Sequence, residues 1–213
     1  MLAHGVGEGD AGFLANAQGF HFWPYFYLGA KHMVTGYDHL LYLAGVLFFL
    51  TRAKDVILYA SLFALGHSIT LLAGVYFNIP ANAYLVDAII GMSVVYKAFE
   101  NLGGFAALGL AIDPRAAVAG FGLIHGLGLA TKLQAISLSD EGLLGNLVAF
   151  NLGVEAGQLL ALSALVTLLF TWRRLAPESM DPQQPTTVAI NVGLMVCGFM
   201  LCFYQLAGYL WLA

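Results

Sequence analysis

The sequence predicts an all-α protein, a polytopic transmembrane helix bundle of about six spans. Of its 213 residues, 60% are hydrophobic and only 9% are charged, whereas about 25% of the residues in a typical soluble domain are charged. The mean hydropathy is +0.81. A soluble domain of this length has too little interior to hide so much apolar surface. Runs of about 20 apolar residues, the length that crosses a bilayer, recur along the chain, so we treat residues 1–213 as a single integral membrane domain.

Composition excludes other classes of protein. The net charge is −4 and the sequence pI is about 5.8, and no basic stripe offers a surface to nucleic acid. The two cysteines, Cys197 and Cys202, lie in one apolar run, which excludes a disulfide-stabilised domain. Met1–Asp10 lacks the basic and apolar regions of a signal peptide, and a leader trimmed before His4 stays open as an alternative. The expected surroundings are therefore the lipid bilayer.

The predicted spans follow one another between polar or helix-breaking residues. Pro24 suits the first position of the first helix, and Asp113 with Pro114 is typical of an N-cap followed by a proline at the start of the fourth. The six predicted spans are Pro24–Leu50, Val56–Phe77, Asn82–Asn101, Pro114–Thr131, Leu143–Trp172 and Val188–Leu212. They divide the chain into an outer-face N-terminal segment (1–23), a core of five spans (24–172), a cytoplasmic loop (173–187) and the last span (188–212).

Charge placement orients these spans. The segment Gly103–Ile112 is apolar but too short to cross, and we interpret it as one short re-entrant or interfacial helix. With six spans, most positive charges fall on one side, which the positive-inside rule assigns to the cytoplasm and which leaves both termini outside. A seventh crossing is the alternative, but it would separate Lys97 from Arg115 and blur this pattern. The cations predicted inside are Arg52, Lys54, Lys97, Arg115, Arg173 and Arg174, and those outside are Lys31 and Lys132.

Ionisable side chains near the span midpoints are the main functional signal. A charged group at the bilayer centre costs roughly 2.5–3.5 kcal/mol on insertion scales, so such residues face the bundle interior and mark functional sites. Four of the predicted spans place an imidazole or a carboxylate near the midpoint. His32 lies seven positions before His39, about two helical turns, and therefore on the same face of the first span. The candidate site residues are His32, Asp38, His39, His67, His125 and Glu155.

Two local patterns accompany these residues. Asn151, Glu155 and Gln158 follow each other at spacings of four and three, which predicts one polar stripe on the fifth span. Gly122 and Gly126 form a small-residue pattern that lets two helices approach closely, and we interpret it as packing. For any single histidine, the alternative role is a hydrogen bond between helices. The shared depth of the candidates favours a common site instead.

Mixed imidazole and carboxylate ligands predict a divalent transition metal. This ligand set suits Ni²⁺, Co²⁺, Zn²⁺, Cu²⁺ or Fe²⁺. No thiolate pair favours Cu(I), because Cys197 and Cys202 are five positions apart and point in different directions from a helix. The residues alone leave the choice of metal open.

Five short motifs follow one another along the chain. They are Gly36–Leu43, His67–Leu71, Glu100–Asn101, Phe121–Gly128 and Phe150–Gln158. His32, Asp38 and His39 form a His-x5-Asp-His signature that overlaps the first of these motifs. Together they resemble the HupE/UreJ family of nickel permease-like bacterial membrane proteins, and the similarity extends from about Tyr25 to Trp172.

The resemblance implies a multi-pass protein of the bacterial inner membrane with about six spans. It implies uptake of a divalent metal ion, with Ni²⁺ expected and Zn²⁺, Co²⁺ and Cu²⁺ as alternatives. It marks His32, Asp38 and His39 as metal-recognition residues. It also implies hydrogenase or urease maturation proteins as partners.

Several functions compete on the sequence alone. A metal permease is favoured, and since no nucleotide-binding motif is present, its energy would come from a gradient or a partner. The alternatives are an intramembrane metal-dependent enzyme, zinc hydrolase-like with Ser68 and Thr70 beside His67, and a metal-binding protein without transport. Against the enzyme, the sequence has no His-Glu-x-x-His helix. A haem-binding electron carrier with two axial histidines ranks last.

Overall fold

The computed structural model describes residues 8–136, 141–177 and 181–212. Within these ranges all regular secondary structure is helical, which confirms the predicted all-α class. His4 and the question of a leader lie outside the described residues. The helices are α1 (Glu8–Asn16), α2 (Phe22–Thr35), α3 (Tyr37–Leu47), α4 (Ala53–Tyr76), α5 (Ala83–Asn101), α6 (Gly104–Ala107), α7 (Pro114–Gln134), α8 (Leu143–Leu175) and α9 (Pro185–Leu212).

Four of the described helices, α4, α7, α8 and α9, are long and apolar enough to cross a membrane. They correspond to the second, fourth, fifth and sixth predicted spans. The predicted count of about six spans is not confirmed. One reason is α5, whose 19 residues include Asp87, Lys97 and Glu100. The other reason is that the first predicted span is not one helix.

The first predicted span is wrong as a continuous helix, because the structure breaks it at Gly36 into α2 and α3. Gly36 has φ −73° and ψ 94°, an extended conformation outside the helical region. Before the break, the Thr35 hydroxyl donates to the Lys31 carbonyl at 2.8 Å, and after it the His39 amide donates to Asp38 Oδ1 at 2.6 Å. Glycine, threonine and aspartate all weaken a helix interior, the last two by offering side-chain hydrogen bonds to the backbone.

The two polar segments at the ends of the core also differ from expectation. The predicted cytoplasmic loop, residues 173–187, is shorter in the structure, because α8 continues to Leu175 and α9 begins at Pro185. Proline is favoured at the first position of a helix, where its missing N–H is not needed. The segment 1–23, expected only to lie at the outer face, contains α1, which is tied to α2 by an ion pair of 2.7 Å between Asp10 and Lys31.

The segment between α5 and α7 contains only the four-residue helix α6. This agrees with the prediction that Gly103–Ile112 is too short to cross. The Phe105 ring lies 4.7 Å from the Tyr96 ring and 5.0 Å from the Phe99 ring, measured between centroids. α6 is therefore held against the end of α5.

Three closely packed helix pairs form the scaffold: α4 with α7, α2 with α8, and α5 with α9. Glycines permit the close approach. A Cβ added at Gly153 of α8 would overlap the Phe26 carbonyl of α2, and one at Gly126 of α7 would overlap the His67 carbonyl of α4. A Cβ added at Gly91 of α5 would lie 2.7 Å from the Cys202 amide nitrogen of α9. The predicted packing role of the small-residue pattern in the fourth span is thus confirmed.

The short helix α3 belongs to none of these pairs and contacts four of their helices, α2, α5, α8 and α9. Its C-terminal end is held by side chains of two other helices. Asn101 of α5 donates from Nδ2 to the Gly45 carbonyl at 2.9 Å. Arg173 of α8 donates at 2.7–3.0 Å to three carbonyl oxygens at or just beyond that end, those of Leu47, Phe48 and Leu50. These bonds satisfy carbonyls that a helix end otherwise leaves unpaired.

Candidate metal centre

Four imidazole rings from four helices meet in the interior of the bundle. The His39 ring of α3 is central: its centroid lies 5.3 Å from that of His32 on α2, 5.8 Å from that of His67 on α4 and 4.9 Å from that of His125 on α7. His39, His67 and His125 are each at most 2% exposed. The structure therefore brings together the three histidines that the sequence placed at a similar depth, His39, His67 and His125, and adds His32, which the sequence placed on the same face of the first span as His39. We call this group the imidazole cluster.

Two rings of the imidazole cluster are oriented by oxygen acceptors. His39 Nδ1 lies 2.6 Å from Asp38 Oδ1, and both side chains are buried. His125 Nδ1 lies 2.7 Å from the Phe121 carbonyl oxygen. A carboxylate or carbonyl oxygen only accepts, so Nδ1 is the donor in each ring and Nε2 carries the lone pair. Metal-binding histidines show this arrangement, in which one nitrogen is fixed by an acceptor and the other faces the metal.

Buried ring nitrogens without a hydrogen-bond partner lie at the same place. They are Nε2 of His39 and both Nδ1 and Nε2 of His67. Buried polar atoms almost always have a partner, because losing water without replacement costs free energy. A neutral imidazole offers one donor and one acceptor. The nitrogen atoms of these rings are therefore suitable ligands for a metal cation.

The rings nevertheless do not form a coordination sphere. Among the residues that the structure describes, no three His, Cys, Asp or Glu side chains are arranged to hold one metal ion. The His39 ring meets its three neighbours edge to face, at interplanar angles of 67–79°. A shared metal ion would require the rings to rotate so that their lone pairs converge.

Glu155, the remaining candidate, lies on a different surface. Its side chain is exposed and accepts a hydrogen bond of 3.3 Å from Asn151 Nδ2. Gln158 Nε2 donates to the Ala60 carbonyl of α4 at 3.0 Å. The predicted stripe of Asn151, Glu155 and Gln158 therefore exists, but Glu155 and Gln158 line a groove between α4 and α8, and Glu155 has no part in the ring contacts of the imidazole cluster.

An aromatic layer borders the imidazole cluster on one side. Phe63 lies one turn before His67 on α4, and Tyr42 follows His39 on α3 by three positions. The Tyr42 ring centroid is 5.6 Å from that of Phe63, 5.7 Å from that of Phe121 and 5.4 Å from that of His125. The layer of Tyr42, Phe63 and Phe121 closes the bundle toward the C-terminal end of α3.

A buried ion pair borders the other side, and the sequence did not reveal it. Lys132 Nζ of α7 lies 3.0 Å from Asp87 Oδ2 and 3.1 Å from Asp87 Oδ1 of α5. The sequence placed Asp87 only in the first half of the third span and counted Lys132 only as an outer charge. Asp87 lies five residues after the start of the third predicted span and Lys132 lies one residue after the end of the fourth, on the same predicted side, and that coincidence is the signal that could have paired them.

The bundle and its cluster define a class of protein: a polytopic, all-helical membrane protein with buried imidazole and carboxylate groups. The family model described as "HupE / UreJ protein" matches residues 8–213. The chain therefore belongs to the HupE/UreJ family, which suggests a membrane protein related to nickel or cobalt transport. The match confirms the resemblance and extends it through α9. No curated protein and no solved structure matches the chain.

Proposed function

We propose that this chain is a divalent transition-metal permease of the bacterial inner membrane, that Ni²⁺ is its main cargo, and that the cation passes through the imidazole cluster. The observation that carries the proposal is the pair of buried rings, His39 and His125, whose Nδ1 atoms are fixed by oxygen acceptors, as in metal-binding histidines.

The chemistry of the cluster suits a partly dehydrated transition-metal ion. Imidazole nitrogen binds Ni²⁺, Co²⁺, Zn²⁺ and Cu²⁺ well, and ligand type alone does not separate them. Nickel is preferred on the strength of family membership. Asp38, fixed to His39 Nδ1, supplies a buried negative charge that offsets part of the cost of a cation at this depth.

Family membership favours permeation over catalysis. A catalytic zinc site holds its metal with three fixed protein ligands and one open position, whereas a permeating ion must bind and then leave. The hydroxyl of Thr70, a candidate polar group for an enzyme, donates to the Leu123 carbonyl of α7 at 2.6 Å and therefore contributes to helix packing. We therefore do not adopt the enzyme as a second function.

The direct test is accumulation of radiolabelled nickel in cells that express His39→Ala at the wild-type level. We expect accumulation to fall at least tenfold, because the variant removes the ring that contacts the other three. His21→Ala is the matched control: its ring lies outside the imidazole cluster, with Nε2 2.8 Å from the Gln18 carbonyl oxygen, and we expect unchanged accumulation.

Metal analysis of the purified protein before and after chelation separates transport from a resident metal. A permeating ion should be removed easily by the chelator. Normal nickel accumulation by a well-folded His39→Ala protein contradicts the proposal. One metal ion per chain that survives chelation contradicts it as well, and favours the enzyme.

A further inference from the structure

The ion pair of Asp87 and Lys132 is unusually deep for two charged side chains. The Asp87 side chain is 2% exposed and that of Lys132 is 6% exposed. Gly128 of α7 makes room for the carboxylate, because a Cβ added there would lie 3.3 Å from Asp87 Oδ1. A buried ion pair is weak evidence for stability, since desolvation of both charges offsets their attraction. Its position therefore calls for another explanation.

A small cavity lies between Asp87 of this ion pair and Asp38, the carboxylate that is bonded to the His39 ring. Asp38 and Asp87 both line it, together with Gln205 of α9 and three apolar or glycine residues. Gln205 is 3% exposed, and its Oε1 is buried without a hydrogen-bond partner. Two carboxylates and an amide oxygen thus surround a space of about the size of one water molecule. An oxygen-only set of this kind suits a divalent cation such as Mn²⁺ or Mg²⁺, or a transition-metal ion in passage.

We propose that Asp87, Asp38 and Gln205 form an oxygen-ligand site for a divalent cation beside the imidazole cluster, and that the Lys132 ammonium neutralises Asp87 until a cation displaces it. Lys132 is paired with Asp87, whereas a divalent cation in the cavity would lie between Asp87 and Asp38. Lys132 lies two residues before the end of α7, so its flexible four-carbon stem can carry the ammonium toward that end of the bundle.

The order of residues along one face of α7 supports a role on a cation path. Phe121, His125, Gly128 and Lys132 are spaced by four, three and four positions, which puts them on one side of the helix. Lys132 is about 10 Å along the helix axis from His125. A cation released by the oxygen site would meet the imidazole cluster next. The place of the oxygen site on a cation path rests on the proposed permease function, but cation binding to the site can be measured without transport.

The test uses Mn²⁺, which prefers oxygen ligands and is counted by electron paramagnetic resonance, on the purified full-length protein in detergent. Lys132→Met removes the ammonium and keeps the length of the stem. We expect this variant to bind about one Mn²⁺ per chain at least tenfold more tightly than the wild type, and Mn²⁺ to raise its thermal midpoint. The matched control, Asp87→Asn with Lys132→Met, should lose both effects.

A second variant keeps the ion pair intact in case Lys132→Met folds poorly. Gln205→Leu removes only the amide group, and we expect it to weaken Mn²⁺ binding by at least fivefold relative to wild type. Unchanged Mn²⁺ affinity in Gln205→Leu overturns the site. Equal affinity in Lys132→Met and in the double variant also overturns it and leaves a purely structural ion pair.

The outcomes distinguish this site from the proposed permease function. Mn²⁺ binding should persist when Lys132→Met is combined with His67→Ala, because the His67 ring makes no hydrogen bond to a ligand of the oxygen site. Tight Mn²⁺ binding together with normal nickel accumulation in His39→Ala would support the oxygen site and contradict the permease site. Absence of tight Mn²⁺ binding together with loss of nickel accumulation in His39→Ala would contradict the oxygen site and leave the permease proposal standing.

Discussion

The three scaffold pairs and the short helix α3 are held in place by different means. In the pairs, glycines bring two backbones so close that an added Cβ would overlap a carbonyl of the neighbouring helix, as at Gly153 against Phe26. By contrast, α3 is fixed mainly at its C-terminal end, by Arg173 and Asn101. Its N-terminal end, with Asp38 and His39, meets the rest of the bundle through side chains of the imidazole cluster.

This difference separates the framework from the part that carries the candidate ligands. Backbone-to-backbone packing leaves almost no freedom to shift, since close-packed interiors respond to even one added methyl group. At the C-terminal end of α3 the hydrogen bonds come from side chains of neighbouring helices. Its N-terminal end carries His39, the ring that contacts the other three.

The largest expected effect comes from closing the space between α2 and α8. Gly153→Ala should lower the free energy of unfolding by about 3 kcal/mol, because the new methyl group overlaps a backbone carbonyl that cannot move aside. Gly120→Ala on α7 is the matched control, since nothing lies within 4 Å of its added Cβ, and it should stabilise by up to about 1 kcal/mol through helix propensity. Unfolding by SDS in mixed micelles measures both. If Gly153→Ala and Gly120→Ala changed the free energy of unfolding with the same sign, the pairs would not be held by close backbone contact.

A smaller effect is expected from releasing the C-terminal end of α3. Arg173→Met should cost about 2 kcal/mol, because it removes charge-assisted hydrogen bonds to three carbonyl oxygens. Hydrogen exchange should increase in α3 and stay unchanged in α4 and α7. The control is Arg174→Met, whose guanidinium lies 4.4 Å from the centroid of the Phe170 ring and should contribute less than about 1 kcal/mol. Equal exchange in α3 for both variants would contradict the anchoring role.

The smallest expected effect concerns a hydrogen bond within a scaffold pair. Thr70→Val removes the bond of 2.6 Å from α4 to the Leu123 carbonyl of α7 and should cost about 0.6 kcal/mol, a typical value for such bonds between membrane helices. Thr171→Val removes a bond of 2.9 Å to the Thr167 carbonyl of its own helix, and it should change the SDS unfolding curve by less than the error of the measurement. A cost for Thr70→Val that equals that of Gly153→Ala would mean that hydrogen bonds, and not close backbone contact, hold the pairs.

Most of the imidazole cluster could be predicted from the sequence, although one assumption behind that prediction is wrong. Depth along each predicted span identified His39, His67 and His125, which the structure brings together. The spacing of His32 and His39 assumed one continuous helix, which is wrong. The two ring centroids are still 5.3 Å apart, because His32 lies near the C-terminal end of α2 and His39 near the N-terminal end of α3, on either side of the break at Gly36.

Other features could not be read from the sequence because they depend on the packing of helices far apart in the chain. Depth alone put Glu155 with the histidines, but depth does not say which way a side chain faces around its helix. The pairing of Asp87 with Lys132 depends on α5 and α7 being neighbours. Charge counting had assigned Lys132 to the outer side as an isolated cation, whereas the structure pairs it with a carboxylate.

The break at Gly36 has an electrostatic consequence for the imidazole cluster. Because α3 starts at Tyr37, two residues before His39, the positive end of its macrodipole lies beside that buried ring. The Asp38 carboxylate, bonded to the His39 amide and to its ring, opposes the field of the helix end. In the proposed permease, these two opposing fields would keep the attraction for a cation moderate, so that a bound ion could also depart.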